Sequence, residues 1–163
     1  MVTVLLVVFG LGLVVGNTVG GKLADRNVMR TLLGVLTLLA AVLAVFSVTA
    51  HHQVASTVTV FLLGAAGFGT VPGLQLRVVQ KAEGAPNVAS AMNIAAFNVG
   101  IAGGALLGGF VVDSPFGLGA TPWVGALVTL VGLALAALSA LMDRRPGAGT
   151  PAVPEAPADL AHV

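Results

Sequence analysis

Residues 2–30 read VTVLLVVFGLGLVVGNTVGGKLADRNVMR: twenty positions with no charged side chain, and then Lys22, Asp25, Arg26 and Arg30 within the next nine. A helix rising about 1.5 Å per residue needs roughly 20 apolar residues to cross the ~30 Å hydrocarbon core of a bilayer. A run of that length closed by cations is a membrane span with its anchor in the aqueous boundary. The same pattern repeats outward from it. Uncharged apolar runs recur at residues 31–50, about 57–76, about 88–112 and about 122–142, which makes five spans.

The rest of the composition agrees. The chain is 57% hydrophobic and only 8% charged, against about 25% charged in soluble domains. In lipid every backbone N–H and C=O must be satisfied within the protein, which leaves helices or closed barrels. Runs of about 20 apolar residues are too long for barrel strands. The expected fold class is therefore all-α, a five-helix transmembrane bundle over residues 1–142. Residues 143–163 hold four of the eight prolines, cannot bury a core, and are expected to form a disordered tail.

All seven Lys and Arg residues fall in three groups, namely Lys22, Arg26 and Arg30, then Arg77 and Lys81, then Arg144 and Arg145. The loops at 51–56 and 113–121 carry none. The positive-inside rule places the three cationic segments and the C-terminal tail in the cytoplasm of a multi-pass plasma-membrane protein. Five crossings then put Met1 outside. The first span lacks a basic leader and exceeds the usual apolar core of a signal peptide, so it is read as structure.

An internal repeat appears when residues 9–25 are laid on residues 97–113. Phe9, Gly12, Gly16, Gly20, Gly21 and Asp25 fall on Phe97, Gly100, Gly104, Gly108, Gly109 and Asp113. The two copies cross the membrane in opposite senses, an arrangement typical of secondary transporters. Gly12, Gly16 and Gly20, like Gly100, Gly104 and Gly108, place a bare backbone at every fourth residue. Both helices are thus expected to be interface helices, in static packing or in a sliding contact.

Polar groups inside the spans are few. Asn17, Asn93 and Asn98 carry amides that are costly in hydrocarbon and should face other helices or a cavity; Asn98 is the preferred substrate contact. Pro72 within Gly67-Phe68-Gly69-Thr70-Val71-Pro72-Gly73 lacks the N–H that Phe68 C=O would receive, so a kink is expected there. Thr70 and Gln75 beside it become candidate cavity or gate residues. His51 and His52 are adjacent, without acidic neighbours, and do not make a metal site. No cysteine, nucleophile triad, phosphate loop or intramembrane acid pair is present, so an enzyme is not expected, nor a cofactor or nucleic-acid partner. A proton-coupling carboxylate would have to lie on helices outside this sequence.

Residues 16–26, GNTVGGKLADR, resemble the Gly-x-Leu-Ala-Asp-Arg loop that the major facilitator superfamily places between adjacent helices on the cytoplasmic side. Gly67-Phe68 with residues 72–78 (PGLQLRV), and residues 89–93 (ASAMN) with Phe97-Asn98-Val99-Gly100 and Gly108-Gly109, resemble the C-terminal half of its drug:proton antiporters, the arabinose-efflux and chloramphenicol-exporter type. The resemblance covers about residues 2–142. It implies that the five spans are helices eight to twelve of a twelve-helix transporter, with Asp25 and Arg26 helping to close a cytoplasmic gate. It also implies partners: membrane lipid, a missing N-terminal half, and a small-molecule substrate in the intact protein. The expected function is that of the C-terminal fragment of a proton-coupled drug or sugar efflux transporter working by alternating access, inactive alone. The other reading is a non-transporting assembly protein that binds helices through its glycine faces.

Since the chain has no cysteine of its own, topology is directly measurable. In intact cells a membrane-impermeant maleimide should label Ser56→Cys and leave Lys22→Cys unlabelled until the cells are permeabilised. The opposite pattern would overturn the assignment.

Overall fold

Apolar side chains gain little by leaving lipid for one another, so membrane helices hold together through close van der Waals approach and interhelical hydrogen bonds. In this chain that approach is made by backbone. The computed structural model describes residues 2–49, 52–82 and 84–143. They form five helices, α1 (Val2–Arg26), α2 (Val28–Thr49), α3 (Gln53–Lys81), α4 (Pro86–Asp113) and α5 (Thr121–Asp143), with a 3-10 turn at Leu118–Ala120 before the last. All five are long and apolar enough to cross a membrane, and no strand occurs among the described residues. The expected tail beyond Asp143, with Arg144 and Arg145, lies outside the described residues, as does His51.

α3 is the centre, packed on α1, α2 and α4, while α2 also packs along α5. The α1–α3 seam runs in constant register: Gly12 sits on Phe61, Gly16 on Ala65, Gly20 on Gly69, and Ala24 beside Gly73. A Cβ at Gly12, Gly16 or Gly20 would collide with the carbonyl oxygen of its partner. The contact is reciprocated at Gly64, where a Cβ would lie 2.6 Å from the carbonyl oxygen of Phe9. Only a glycine hydrogen fits between such backbones. Each Cα–H···O contact of this kind contributes about 0.5–1 kcal/mol.

At the end bearing Lys22, Arg26 and Arg30 the seam closes into a three-helix junction. A Cβ on Gly73 would meet Leu32 Cδ2 of α2 at 3.0 Å and Ala24 Cβ of α1 at 3.8 Å, and Leu32 and Ala24 are among the most buried apolar side chains of the bundle, at 1% and 2% exposure. This packing explains a difference from the sequence reading. The residues matched to an interhelical loop are helical, because Gly20 and Ala24 keep α1 seated on α3 to Arg26. One residue separates α1 from α2. Asn27 Oδ1 accepts the backbone N–H of Arg30 at 3.0 Å, capping the start of α2.

α3 continues as one helix through Pro72, whose ring lies 3.9 Å from where a Cβ on Gly21 would be. α5 includes Asp143, one residue beyond the expected boundary at 142. Its carboxylate explains why: Asp143 accepts hydrogen bonds from Arg77 and Lys81 of α3, each at 2.8 Å, and Arg77 also donates to Ser139 at 2.6 Å. The cation-bearing ends of α1 and α3 therefore lie at one end of the bundle, with the start of α2 and the end of α5.

α4 is the outlier. It has no buried residue, and a Cβ at Gly100, Gly103, Gly104, Gly108 or Gly109 would meet nothing within 4 Å. Although expected to be an interface helix like α1, its glycine face has no neighbour among the described residues.

The contrast predicts unequal mutants. Gly16→Leu should cost more than about 3 kcal/mol, above the usual 1–3 for overpacking, because the obstruction is backbone that cannot swing aside. Gly104→Ala in the same 163-residue chain should be neutral or stabilise by up to about 1 kcal/mol, from helix propensity alone. Reversible unfolding in mixed micelles, followed by circular dichroism, would measure both.

Candidate functional site

Amides buried between helices must find partners, and the sequence offers few. The structure joins two of them. Asn93 Nδ2 of α4 donates to Gln75 Oε1 of α3 at 2.6 Å, and Gln75 Nε2 donates in turn to Ser90 Oγ. The chain thus runs Asn93 to Gln75 to Ser90 and ties the second half of α3 to the first half of α4. Pro72 precedes Gln75 by less than one turn. Ser90 is absent from the candidates read off the sequence, yet its place three residues before Asn93 on a helix, hence on the same face, is a usable signal.

This cluster borders a hollow of about 360 Å³ lined by Leu74, Asn93, Ala96, Phe97, Gly100 and Ile101. Phe97 and Ile101 also line a second, almost wholly apolar hollow of about 490 Å³, with Phe9, Leu39, Leu63 and Phe68 among its other walls. Phe97 and Ile101 thus border both hollows, and Asn93 is the polar residue at the rim of the first. Such surroundings fit small, largely apolar molecules oriented by a few hydrogen bonds. Phe9 and Phe97, the first matched pair of the internal repeat, meet at this second hollow.

The remaining candidates stand apart. Thr70 is 7% exposed, and its hydroxyl donates to its own helix at Gly67 C=O, 2.7 Å away. Asn98 lies five residues beyond Asn93, a rotation of about 140° on a helix; it is exposed, and its amide donates to Ile94 C=O at 3.0 Å. Asn17 is likewise exposed, on the flank of α1 beside the glycine seam. Asp25 and Arg26 are exposed at the end of α1 and form no ion pair among the described residues, where the ion pairs are those of Asp143 with Arg77 and Lys81.

That α3–α5 latch is the feature the sequence reading missed. Arg77 and Lys81 serve there only as topology anchors, but they are four residues apart on one helical face, and Asp143 is the single acid at the end of α5. Spacing and sign could have suggested the pairing; which helix lies opposite α3 could not be read.

Comparison with known proteins adds the context for this arrangement. The chain is 44% identical over 148 residues to the uncharacterized MFS-type transporter YtbD of Bacillus subtilis, covering 88% of this chain and 37% of the relative. It is 42% identical over 139 residues to the inner membrane transport protein YdhP of Escherichia coli, covering 85% and 36%. It is 34% identical over 135 residues to a chloramphenicol resistance protein of Streptomyces lividans, covering 83% and 34%. The chain thus spans a little over a third of the length of these relatives. No family model matches it, and no solved structure matches it significantly.

A double-mutant cycle on Gln75→Ala and Asn93→Ala, read by unfolding in mixed micelles, should return a coupling of about 0.5–1.5 kcal/mol, the range for interhelical hydrogen bonds in membranes. The same cycle on Gln75 and Asn98 should return none.

Proposed function

This chain is a relative of MFS-type transporters, members of the major facilitator superfamily, along almost the whole of its helical length, and from that premise we propose that it is the C-terminal part of a proton-coupled efflux transporter. Its five helices are taken as helices eight to twelve of twelve. The observation that carries the reading is the pair of uncovered amides, Asn17 and Asn98. Facing lipid, each would sit in hydrocarbon with unmet hydrogen-bonding capacity. Facing a second set of helices across a watery path, each is satisfied and available to a substrate.

In this proposal the two hollows bordered by Phe97 and Ile101 belong to one wall of the substrate route, and the Gln75–Asn93–Ser90 cluster positions the ligand. Thr70 and Pro72 shape the helix behind it. The substrate is a small molecule: the apolar hollows fit a drug-like compound, and a sugar is the alternative, since some relatives are named as probable sugar efflux transporters. Alternating access would arise from rocking of the two halves, with the cationic end and the C-terminus in the cytoplasm of a plasma membrane. Asp25 and Arg26, unpaired with any described residue, are free to meet the other half when the cytoplasmic side closes. The coupling carboxylate is assigned to that half, because no Asp or Glu lies in the middle of any span here.

Alone, such a chain lacks the opposite wall. Expressed by itself in a strain lacking its own exporters it should give no drug resistance and no efflux; joined to the missing half it should give both. Efflux by the purified 163-residue chain in liposomes would contradict the proposal, and an unchanged efflux phenotype on its deletion would favour the assembly-protein reading.

A further inference from the structure

A groove of about 530 Å³ runs between α2, α3 and α5 and ends on the Arg77–Asp143–Lys81 latch. Its walls are apolar along most of their length, with Leu36 on α2, Leu74 on α3 and Leu135 on α5. From Asp143 inward to Gly132, also in the wall, is eleven residues of helix, about 16 Å at ~1.5 Å per residue. Half of a ~30 Å hydrocarbon core is about 15 Å. The groove therefore reaches from the aqueous boundary to the middle of the bilayer, the depth of one leaflet. It opens at the side of the bundle as well as at its end: Leu135 is 63% exposed, and a Cβ on Gly132 would meet nothing within 4 Å.

The latch leaves the mouth of this groove positive. Arg77 and Lys81 stand in its wall with Asp143 as the single acid, so one cation is in excess. Donors are in excess too. Both bonds of Arg77, to Ser139 and to Asp143, come from Nη2, and Lys81 gives one N–H to Asp143; a guanidinium carries five donors and an ammonium three. The Lys81 side chain is 64% exposed, which leaves its other donors accessible. A guanidinium fork with an ammonium one helical turn away is a pairing suited to the oxygens of a phosphate.

We infer that this groove seats one anionic phospholipid, its phosphate on Arg77 and Lys81 and one acyl chain along the wall from Ser139 to Gly132. The occupant follows from the two ends of the groove taken together. A soluble anion would meet the cations and leave a leaflet's depth of apolar wall bare. A neutral hydrocarbon would fill the wall and leave the cations unmet, and an extended acidic peptide would bring backbone that hydrocarbon cannot satisfy. Basic pockets between membrane helices suit acidic headgroups on the same grounds. Seated there, the lipid touches α2, α3 and α5 at once and reinforces the latch. The inference uses no property of a transporter and stands or falls apart from that reading.

The test uses the 163-residue chain in phosphatidylcholine vesicles that hold a small fraction of a photoreactive lipid with a diazirine at mid-chain, either phosphatidylglycerol or phosphatidylcholine. Photolysis should link phosphatidylglycerol to peptides covering residues 29–36 and 132–139 at least about fivefold more than phosphatidylcholine with the same chain, the preference that one excess charge supports at a membrane surface. Lys81→Gln, which leaves Arg77 on Asp143, should bring the two lipids to within about twofold of each other. Gly132→Leu, which leaves every charge in place, should cut the phosphatidylglycerol links at residues 132–139 by at least about threefold, because a side chain then fills the inner end of the groove. Lys22→Gln removes a cation from the same end of the bundle but outside the groove, and should change nothing. Equal linking of the two lipids in the unsubstituted chain would overturn the inference. So would an equal fall in the Lys22→Gln and Lys81→Gln variants, the mark of diffuse attraction to a cationic surface. Loss of the links in inorganic phosphate at constant ionic strength would overturn it as well, by making the occupant a soluble anion.

Discussion

The bundle depends on the contact of bare backbone with backbone along α1 and α3. Three successive steps of four residues bring Gly12, Gly16, Gly20 and Ala24 onto Phe61, Ala65, Gly69 and Gly73. In a medium where apolar side chains gain nothing by meeting, this approach is what distinguishes one arrangement of greasy helices from another. The junction of Ala24, Leu32 and Gly73 extends it to α2, and α2 extends it to α5. Hydrogen bonds are then placed where glycine does not reach: the Gln75–Asn93–Ser90 cluster attaches α4, and the Arg77–Asp143–Lys81 latch fastens the free end of α5 to α3.

That division of labour bears on movement. A seam of interlocked backbone has one register and resists sliding, whereas α4 is held by a few side-chain hydrogen bonds near its start and leaves the rest of its length uncovered. Polar ties of about 1 kcal/mol each break more readily than a fitted seam. α1 and α3 are therefore the most closely fitted pair of the bundle, and α4 is the helix attached by side chains near its start. An apolar hollow lies between α1 and α4, lined by Phe9 of the first and Phe97 of the second.

Much of the fold was legible from the residues because lipid imposes so few options. Length and lack of charge in each run required spans, the cation clusters required alternation, and the repeat of Phe9–Asp25 in Phe97–Asp113 marked α1 and α4 as counterparts. Site residues were less legible. Gln75 and Asn93 both stand out as path candidates, but nothing in their positions, eighteen residues apart across a turn, says that they bond to each other and to Ser90. Thr70 reads as a cavity residue beside a proline and is instead buried on its own helix. Sequence reports that an amide is expensive in hydrocarbon; it does not report which way the helix is rotated.

The sequence by itself determined five helices, their alternating direction and the places where backbone could come close, since each follows from local chemistry: hydropathy over a fixed length, charge at an aqueous boundary, and the absence of a Cβ. Only the tertiary structure decided which of two equivalent glycine stripes is filled. The reason is physical. A glycine face permits close approach but does not select a partner; selection requires a second surface of matching register, and within this chain α3 offers that surface to α1 while no described helix offers one to α4.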